Sequence, residues 1–431
     1  MTSKNVLFNF FLPLKSPLLY GVLALAVGLA VLAPGALAQT AGQPSSLRQA
    51  VDAAWQLSSQ SRAAGNRRSE LAAKEKAAAS WIAGEPVATI AHRTDRLTKN
   101  DGFREYEAEV EMPLWNPGVR TAAQADVDAQ RLGFGGQFAL GKLKLAGELR
   151  TLVASVAMAQ VELDLNRRKL ADAEALAQDL GRRVKAGENA RVDGLQAQIL
   201  VQQANIALAL ANSQLTRLRA QWLSATGLPS LPPHGETLNS LAADEPAAAP
   251  TTAIPPDHPA LRFARAQVIS AQAKLALANA DKRDPMALAV GVARERSNFA
   301  ASGETTLRIA LRIPLGGDNR NAPRQAAARA ELDAAQADAD AVERQLPSEL
   351  AAASADLRAA RAAEGAARER LRLSAEVQTL ITKSWRLGNS VLPARLRADN
   401  EQFEASLSLA RAAVDVQRAI ANLNQAHGLL P

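Results

Sequence analysis

The stretch Met112-Pro113-Leu114 returns 201 residues later as Ile313-Pro314-Leu315. Ala186-Gly187 and Leu387-Gly388 keep the same spacing, and so do Gly227-Leu228-Pro229 and Gly428-Leu429-Leu430. Leu195, Ala197, Ile206, Leu208 and Ala225 also precede Leu396, Ala398, Leu407, Leu409 and Ala426 by 201. An offset that does not slip across so many landmarks marks a duplicated structural unit. The chain reads as two copies of one part, residues 39–227 and 258–431, joined by a Pro-rich linker at 228–257 that holds Pro229, Pro232, Pro233, Pro246, Pro250, Pro255 and Pro256.

The residues that lead into each motif alternate with period two. Tyr106, Ala108, Val110 and Met112 fall on one face of a strand at 103–114, and Glu105, Glu107, Glu109 and Glu111 on the other. A partner strand is expected at 87–94, joined through a loop whose Asp101-Gly102 signals a hairpin turn. The second copy offers strands at 287–295 and 305–315. Leu307, Ile309, Leu311 and Ile313 keep the apolar face, while Glu107 and Glu111 are replaced by Arg308 and Arg312.

Helical periodicity surrounds these hairpins. One helix is expected over 47–81, ended by Pro86, and one proline-free helix of about 100 Å over 119–185, with Gly133, Gly135, Gly136, Gly141 and Gly147 as soft spots. The chain then turns at Gly187, and Val192, Leu195, Ile199 and Ile206 open a return helix that ends at Gly227, a residue suited to a C-cap. The second copy repeats the plan with helices at 260–281, 324–385 and 394–428, the middle one containing Pro347, a kink position. Two shorter helices end to end match one long helix beside them.

Composition agrees with long, thin packing. Hydrophobic residues make up 48% of the chain and aromatics only 4%, poor material for a thick core but suited to close helix contacts. Residues 1–38 read as a signal peptide that ends in Ala36-Leu37-Ala38, with an uncleaved anchor as the competing reading. With no cysteine there is no disulfide framework and no lipidation site after the cleavage point. A net charge of +7 is spread among Asp and Glu along the helices, so nucleic acid is not an expected partner.

Strands of about 9 to 12 residues suit a tilted bilayer crossing, but four strands cannot close a barrel, so several chains must share one. The competing reading is a pair of soluble hairpins that cap a helical bundle. Val110-Glu111-Met112-Pro113-Leu114 and Leu311-Arg312-Ile313-Pro314-Leu315, each followed by long Ala-rich helices, resemble the TolC-type outer-membrane efflux ducts. So do Val184-Lys185-Ala186-Gly187 through Asp193-Gly194-Leu195 and the twin around Leu387-Gly388 and Arg395-Leu396. The likeness covers the whole chain after the signal. It implies a mainly α protein with a membrane β part: a homotrimer with a 12-stranded barrel in outer-membrane lipid, continued by a helical barrel across the periplasm. It also implies a periplasmic adaptor and an inner-membrane pump as partners. One departure is Ala394, which stands where the first copy has Asp193.

No catalytic constellation is legible, so the chain reads as no enzyme and as needing no cofactor. His92, His234, His258 and His427 lack metal-ligand spacing, and Gly133, Gly135 and Gly136 follow no strand as a phosphate loop would. The functional candidates are a pore lining of Glu105, Glu107, Glu109, Glu111, Arg308 and Arg312, and adaptor-docking turns of Val184, Gly187, Ala190, Val192, Asp193, Gly388, Ser390, Val391 and Leu392. Arg182, Arg183, Lys185, Lys383 and Arg386 either complement helix dipoles or form a polar gate. The expected function is a passive export duct, with heavy-metal systems the most similar by length. Drug or type I protein export is the alternative cargo, and a periplasmic adaptor or a structural coiled coil the alternative class.

Overall fold

The computed structural model describes residues 46–235, 254–316 and 318–431. The expected signal peptide lies outside the described residues, as does the middle of the expected linker with Pro246 and Pro250. The described elements, in chain order, are α1 (Leu47–Leu57), α2 (Ser59–Ala79), β1 (Val87–Thr94), β2 (Arg104–Leu114), α3 (Val119–Lys185), α4 (Arg191–Thr226), α5 (Pro259–Ala280), β3 (Met286–Arg296), β4 (Glu304–Arg312), α6 (Asp318–Arg386) and α7 (Leu392–Ala426).

Local chemistry sets the helix ends. Ser46 and Gln49 form a reciprocal capping box at the start of α1. The single helix expected over 47–81 is two helices, because Ser58 takes an extended conformation. Its hydroxyl accepts from the Ser61 N–H and donates to the Trp55 carbonyl, which ends α1 and starts α2. Gly187 and Gly388 close α3 and α6 with left-handed φ angles of 80° and 78°. In both turns the glycine N–H bonds three residues back, and the next N–H bonds five residues back, to Arg183 and Ser384. These are Schellman caps at positions 201 apart.

Buried apolar residues form separate clusters along the helices. Leu149, Val156 and Leu163 recur every seventh residue on α3 and are buried against α1 and α4. Leu350 and Leu357 of α6 meet Val416, Ile420 and Leu423 of α7 in another cluster. The start of the expected linker belongs to this packing. Leu228 and Leu231 lie against the first cluster, and the Trp222 indole N–H donates to the Ser230 carbonyl at 3.2 Å.

The expected soft spots in α3 do not break it, and three of those glycines are contact points. A Cβ on Gly136 would stand 3.0 Å from the Cα of Phe263 in α5, one on Gly141 would meet Trp55 and Gln60, and one on Gly147 would meet Gln425. Gly133, three residues earlier on the same helix, has nothing within 4 Å.

The strands form one antiparallel sheet in the order β1-β2-β3-β4. The reversal between β1 and β2 is a loop over residues 95–103 that contains the expected Asp101-Gly102. Asp95 accepts N–H bonds from Thr98, Asn100 and Asp101 there. Gly102 has φ 96° and lies against the Phe299 backbone, so it is needed for both conformation and approach. In the second hairpin β4 is shorter than expected, whereas β3 is slightly longer. Pairing of β4 stops at Arg312, so Ile313-Pro314-Leu315 lies beyond the ladder whereas Met112-Pro113-Leu114 lies inside it, opposite Leu288, Ala287 and Met286. Among the described residues β4 ends the strand order with no partner beyond it, and Pro314 has no N–H to continue the ladder.

The two glycine environments predict opposite effects of one substitution. Gly133→Ala should stabilise α3 by about 1 kcal/mol through helix propensity. Gly136→Ala should destabilise the chain by about 1–3 kcal/mol, because the α5 backbone must move. Thermal unfolding followed by circular dichroism separates the two signs.

Candidate functional site

Partners in an antiparallel ladder point to the same side, so the register assigns every side chain of the sheet to a face. One face carries, row by row away from the helices, Leu114 and Met286; Met112, Leu288 and Leu311; Ala88, Val110, Val290 and Ile309; then Ile90, Ala108, Val292 and Leu307. These rows are apolar and open to solvent in the single chain, with Ile90 86% exposed and Leu307 and Ile309 each 68%. An apolar face this continuous on four strands is a contact surface.

The other face is charged, and its charges pair through a gap in the sheet. β3 contributes only the small residues Ala293, Gly291 and Ala289 beside Glu107, Glu109 and Glu111. Across that low column, Arg308 of β4 reaches Glu107 at 3.4 Å and Glu109 at 3.9 Å, and Arg312 reaches Glu111 at 3.1 Å. Arg93 on β1 meets Glu105 at 2.9 Å. The charge reversals between the two halves, Glu107 to Arg308 and Glu111 to Arg312, are therefore the two sides of ion pairs. The pattern alone did not show this, because the partners lie two strands apart. Toward the hairpin loops the balance changes: Glu105, Glu295 and Glu304 stand opposite one another in register, and among the described residues only Arg93 pairs with that row.

Where the sheet meets the helices, buried Asn116 donates to the Arg283 and Asp284 carbonyls at 2.9 and 3.0 Å. It ties the end of β2 to the approach of β3. Sequence reasoning passed over it, although an Asn-Pro step at a strand end is a turn signal.

At the far end of the long helices lie the two turns. Val192 and Val391 are exposed, as are Gly187, Ala190 and Gly388. Asp193 accepts from the Asn189 amide at 3.1 Å, a bond that Ala394 cannot repeat. Val184 is half-buried against Gly194, and the Ser390 hydroxyl donates to the Ile381 carbonyl. Leu392, expected as an exposed shoulder, is buried with Leu176, Leu180, Ala197 and Trp385. The reason is Trp385, which occupies the place of Val184 in the second half and draws both hairpins into one cluster.

Trp385 lies between two guanidinium groups, Arg183 at 4.4 Å and Arg395 at 4.2 Å from its ring. Arg183 is held by Asp179 at 3.2 Å and Arg395 by Asp399 at 3.5 Å. Of the basic residues flanking the turns, Arg183 is thus engaged in joining α3 to α6. A groove of about 950 Å³ runs above this sandwich between α3, α4, α6 and α7 and is lined on α3 by Asp172. Burial raises the Asp172 carboxyl above the ordinary carboxylate range, and the Asp399 charge adds to the effect.

Among the described residues no three His, Cys, Asp or Glu side chains gather as a metal site, and no helix is long and apolar enough to cross a membrane. No protein-family model and no curated protein matches the sequence. Solved structures do. The outer membrane protein VceC from Vibrio cholerae superposes with a TM-score of 0.69 at 14% identity, over 90% of this chain and 99% of that one. CusC gives 0.73 at 15%, over 91% and 96%. The open state of the Neisseria gonorrhoeae MtrE outer membrane channel gives 0.67 at 16%, over 89% of each chain.

This chain has the TolC-like outer-membrane channel fold. At these identities the agreement lies in backbone and topology, so the side chains of a TolC-like sheet and tip must be read from this sequence.

The raised Asp172 predicts a pH effect of definite sign. Between its unfolded and its higher folded value the native state holds the extra proton, so this group's contribution to stability falls as pH rises through that interval. Asp172→Asn should therefore raise the unfolding midpoint at neutral pH, and the gain should vanish below the unfolded carboxylate range. Denaturation midpoints of both proteins across pH 3 to 8 check this; a constant difference would assign the gain to something other than the charge.

Proposed function

We propose that this chain is the outer-membrane duct of a tripartite efflux system, a passive conduit and not an enzyme. The observation that carries it is the two-faced sheet: four strands with an exposed apolar face on one side, a charged face on the other, and β1 and β4 each paired on one side only among the described residues. An 11-residue strand is about 34 Å long, and at a tilt of about 40° it rises about 26 Å, the height of the apolar band of an outer-membrane barrel. In lipid the free edges of β1 and β4 require partners, since each unpaired backbone group costs several kcal/mol. Three chains that join edge to edge make a closed 12-stranded barrel. That the similar structures are named as outer-membrane channels supports the same reading.

In this arrangement the charged face lines the pore. Arg308 and Arg312 offset two of the three charges of Glu107, Glu109 and Glu111, and the carboxylates Glu295 and Glu304 gather with Glu105 toward the hairpin loops. An acidic outer mouth favours cationic cargo, including the heavy-metal cations of the sequence reading. The long helices carry the Gly187 and Gly388 turns about 100 Å from the sheet, where Ala190, Val192 and Val391 offer exposed surface to the helical hairpin of a periplasmic adaptor seated on an inner-membrane pump.

The deciding experiment is fractionation. The full-length protein, expressed with its own N-terminus in a diderm bacterium, should sediment with the outer membrane and run as a trimer that collapses to monomer on heating. A soluble periplasmic monomer would refute the duct.

For the docking turns, the chain contains no cysteine, so Ala190→Cys and Val391→Cys report contacts without background. Cross-links to the adaptor are expected from both. Because Asp193 has no counterpart at Ala394, the yields should be unequal. Cross-links from residues 228–235 and from neither turn would move the partner to the middle of the duct.

A further inference from the structure

The two rows of the apolar face nearest the hairpin loops break its pattern. The outermost row is Thr94, Arg104 and Arg296, and the next contains His92, Tyr106 and Arg294. Three arginines are thus confined to one end of a face that is otherwise apolar. Arg104 and Arg296 are direct partners across the β2–β3 ladder, where like charges on one face repel. Each arginine of the opposite strand face has a glutamate, whereas among the described residues none of these three has a carboxylate within ion-pair distance. Arg296 is steadied by donating to the Gly102 carbonyl at 3.3 Å. The rings of Tyr106 and His92 stack at 4.4 Å beside them, at the level where an aromatic girdle meets a headgroup region.

Resting on the duct reading, which turns this face toward lipid and the hairpin loops away from the periplasm, we propose that Arg104, Arg294 and Arg296 form a binding site for the phosphate groups of an anionic lipid in the outer leaflet. The chemistry is specific. Guanidinium groups match phosphate oxygens with paired donors, and a phosphate between Arg104 and Arg296 removes their mutual repulsion. Tyr106 supplies a hydroxyl at the glycerol or sugar level, while Ile90 and Leu307 in the row below receive the acyl chains. The site lies outside the pore and acts on how the barrel is seated, not on what passes through it.

The test uses the full-length protein, extracted and stripped of lipid, and titrated in mixed micelles with diphosphoryl lipid A, with phosphatidylcholine and with inorganic phosphate. The test variant is Arg104→Gln/Arg294→Gln, which leaves the Arg296 contact to the loop intact; the control is Arg308→Gln/Arg312→Gln, which removes the same charge from the opposite face. Wild type and control should bind lipid A alike and above phosphatidylcholine. The test variant should bind it about tenfold or more weakly, as expected for the loss of two guanidinium contacts at a membrane surface. A test variant that binds as tightly as wild type, or displacement of lipid A by an equal concentration of inorganic phosphate, overturns the lipid site. If wild type does not fractionate with the outer membrane, or the control loses as much binding as the test variant, the duct reading falls and takes this inference with it.

Discussion

A helix of 67 residues can bury only a stripe of its surface, and the architecture follows from where that stripe finds cover. No single core forms. Instead small clusters recur along the helices, each made of alanines and a few leucines from two or three neighbours. Alanine keeps the helices close and glycine closes the remaining distance, as at Gly136 against Phe263. Such a bundle is stabilised in many small increments, so a local change weakens one level without unfolding the rest.

The sheet follows a different rule. Among the described residues nothing covers its apolar face, and its charged face pairs its charges across the column of small residues on β3. Partly exposed ion pairs of this kind contribute on the order of 1 kcal/mol or less each. Their effect is mainly on the field, because they offset most of the charge along the middle of the face and leave it more strongly acidic at one end. The polar ends of the sheet are held by other means, Asn116 on the helix side and the contact of Gly102 with Phe299 on the loop side.

Much of this was legible in residue order. The 67-residue helix α3 was readable to its ends because the absence of proline and the Gly187 cap are local signals, and the alternation over β2 assigned its faces correctly. The features that were missed are tertiary. The split at Ser58 depends on a serine that caps one helix while ending another. The burial of Leu392 depends on Trp385, seven residues before the helix start and on a different helix. The pairing of Arg308 with Glu107 depends on what the intervening strand lacks, and a missing side chain gives no periodic signal. The glycines of α3 looked like weaknesses because sequence shows their propensity and not their neighbours.

The Trp385 sandwich also distinguishes the halves from each other. The ion pairs Glu107–Arg308 and Glu111–Arg312 join positions exactly one repeat length apart, so each half supplies the complement of the other at the same address. A chain assembled from two first halves would set glutamate against glutamate across β3, and one from two second halves would set arginine against arginine. Either arrangement would repel across β3, whereas the two halves in one chain bring opposite charges together there, and the covalent link keeps the acidic hairpin beside the basic one.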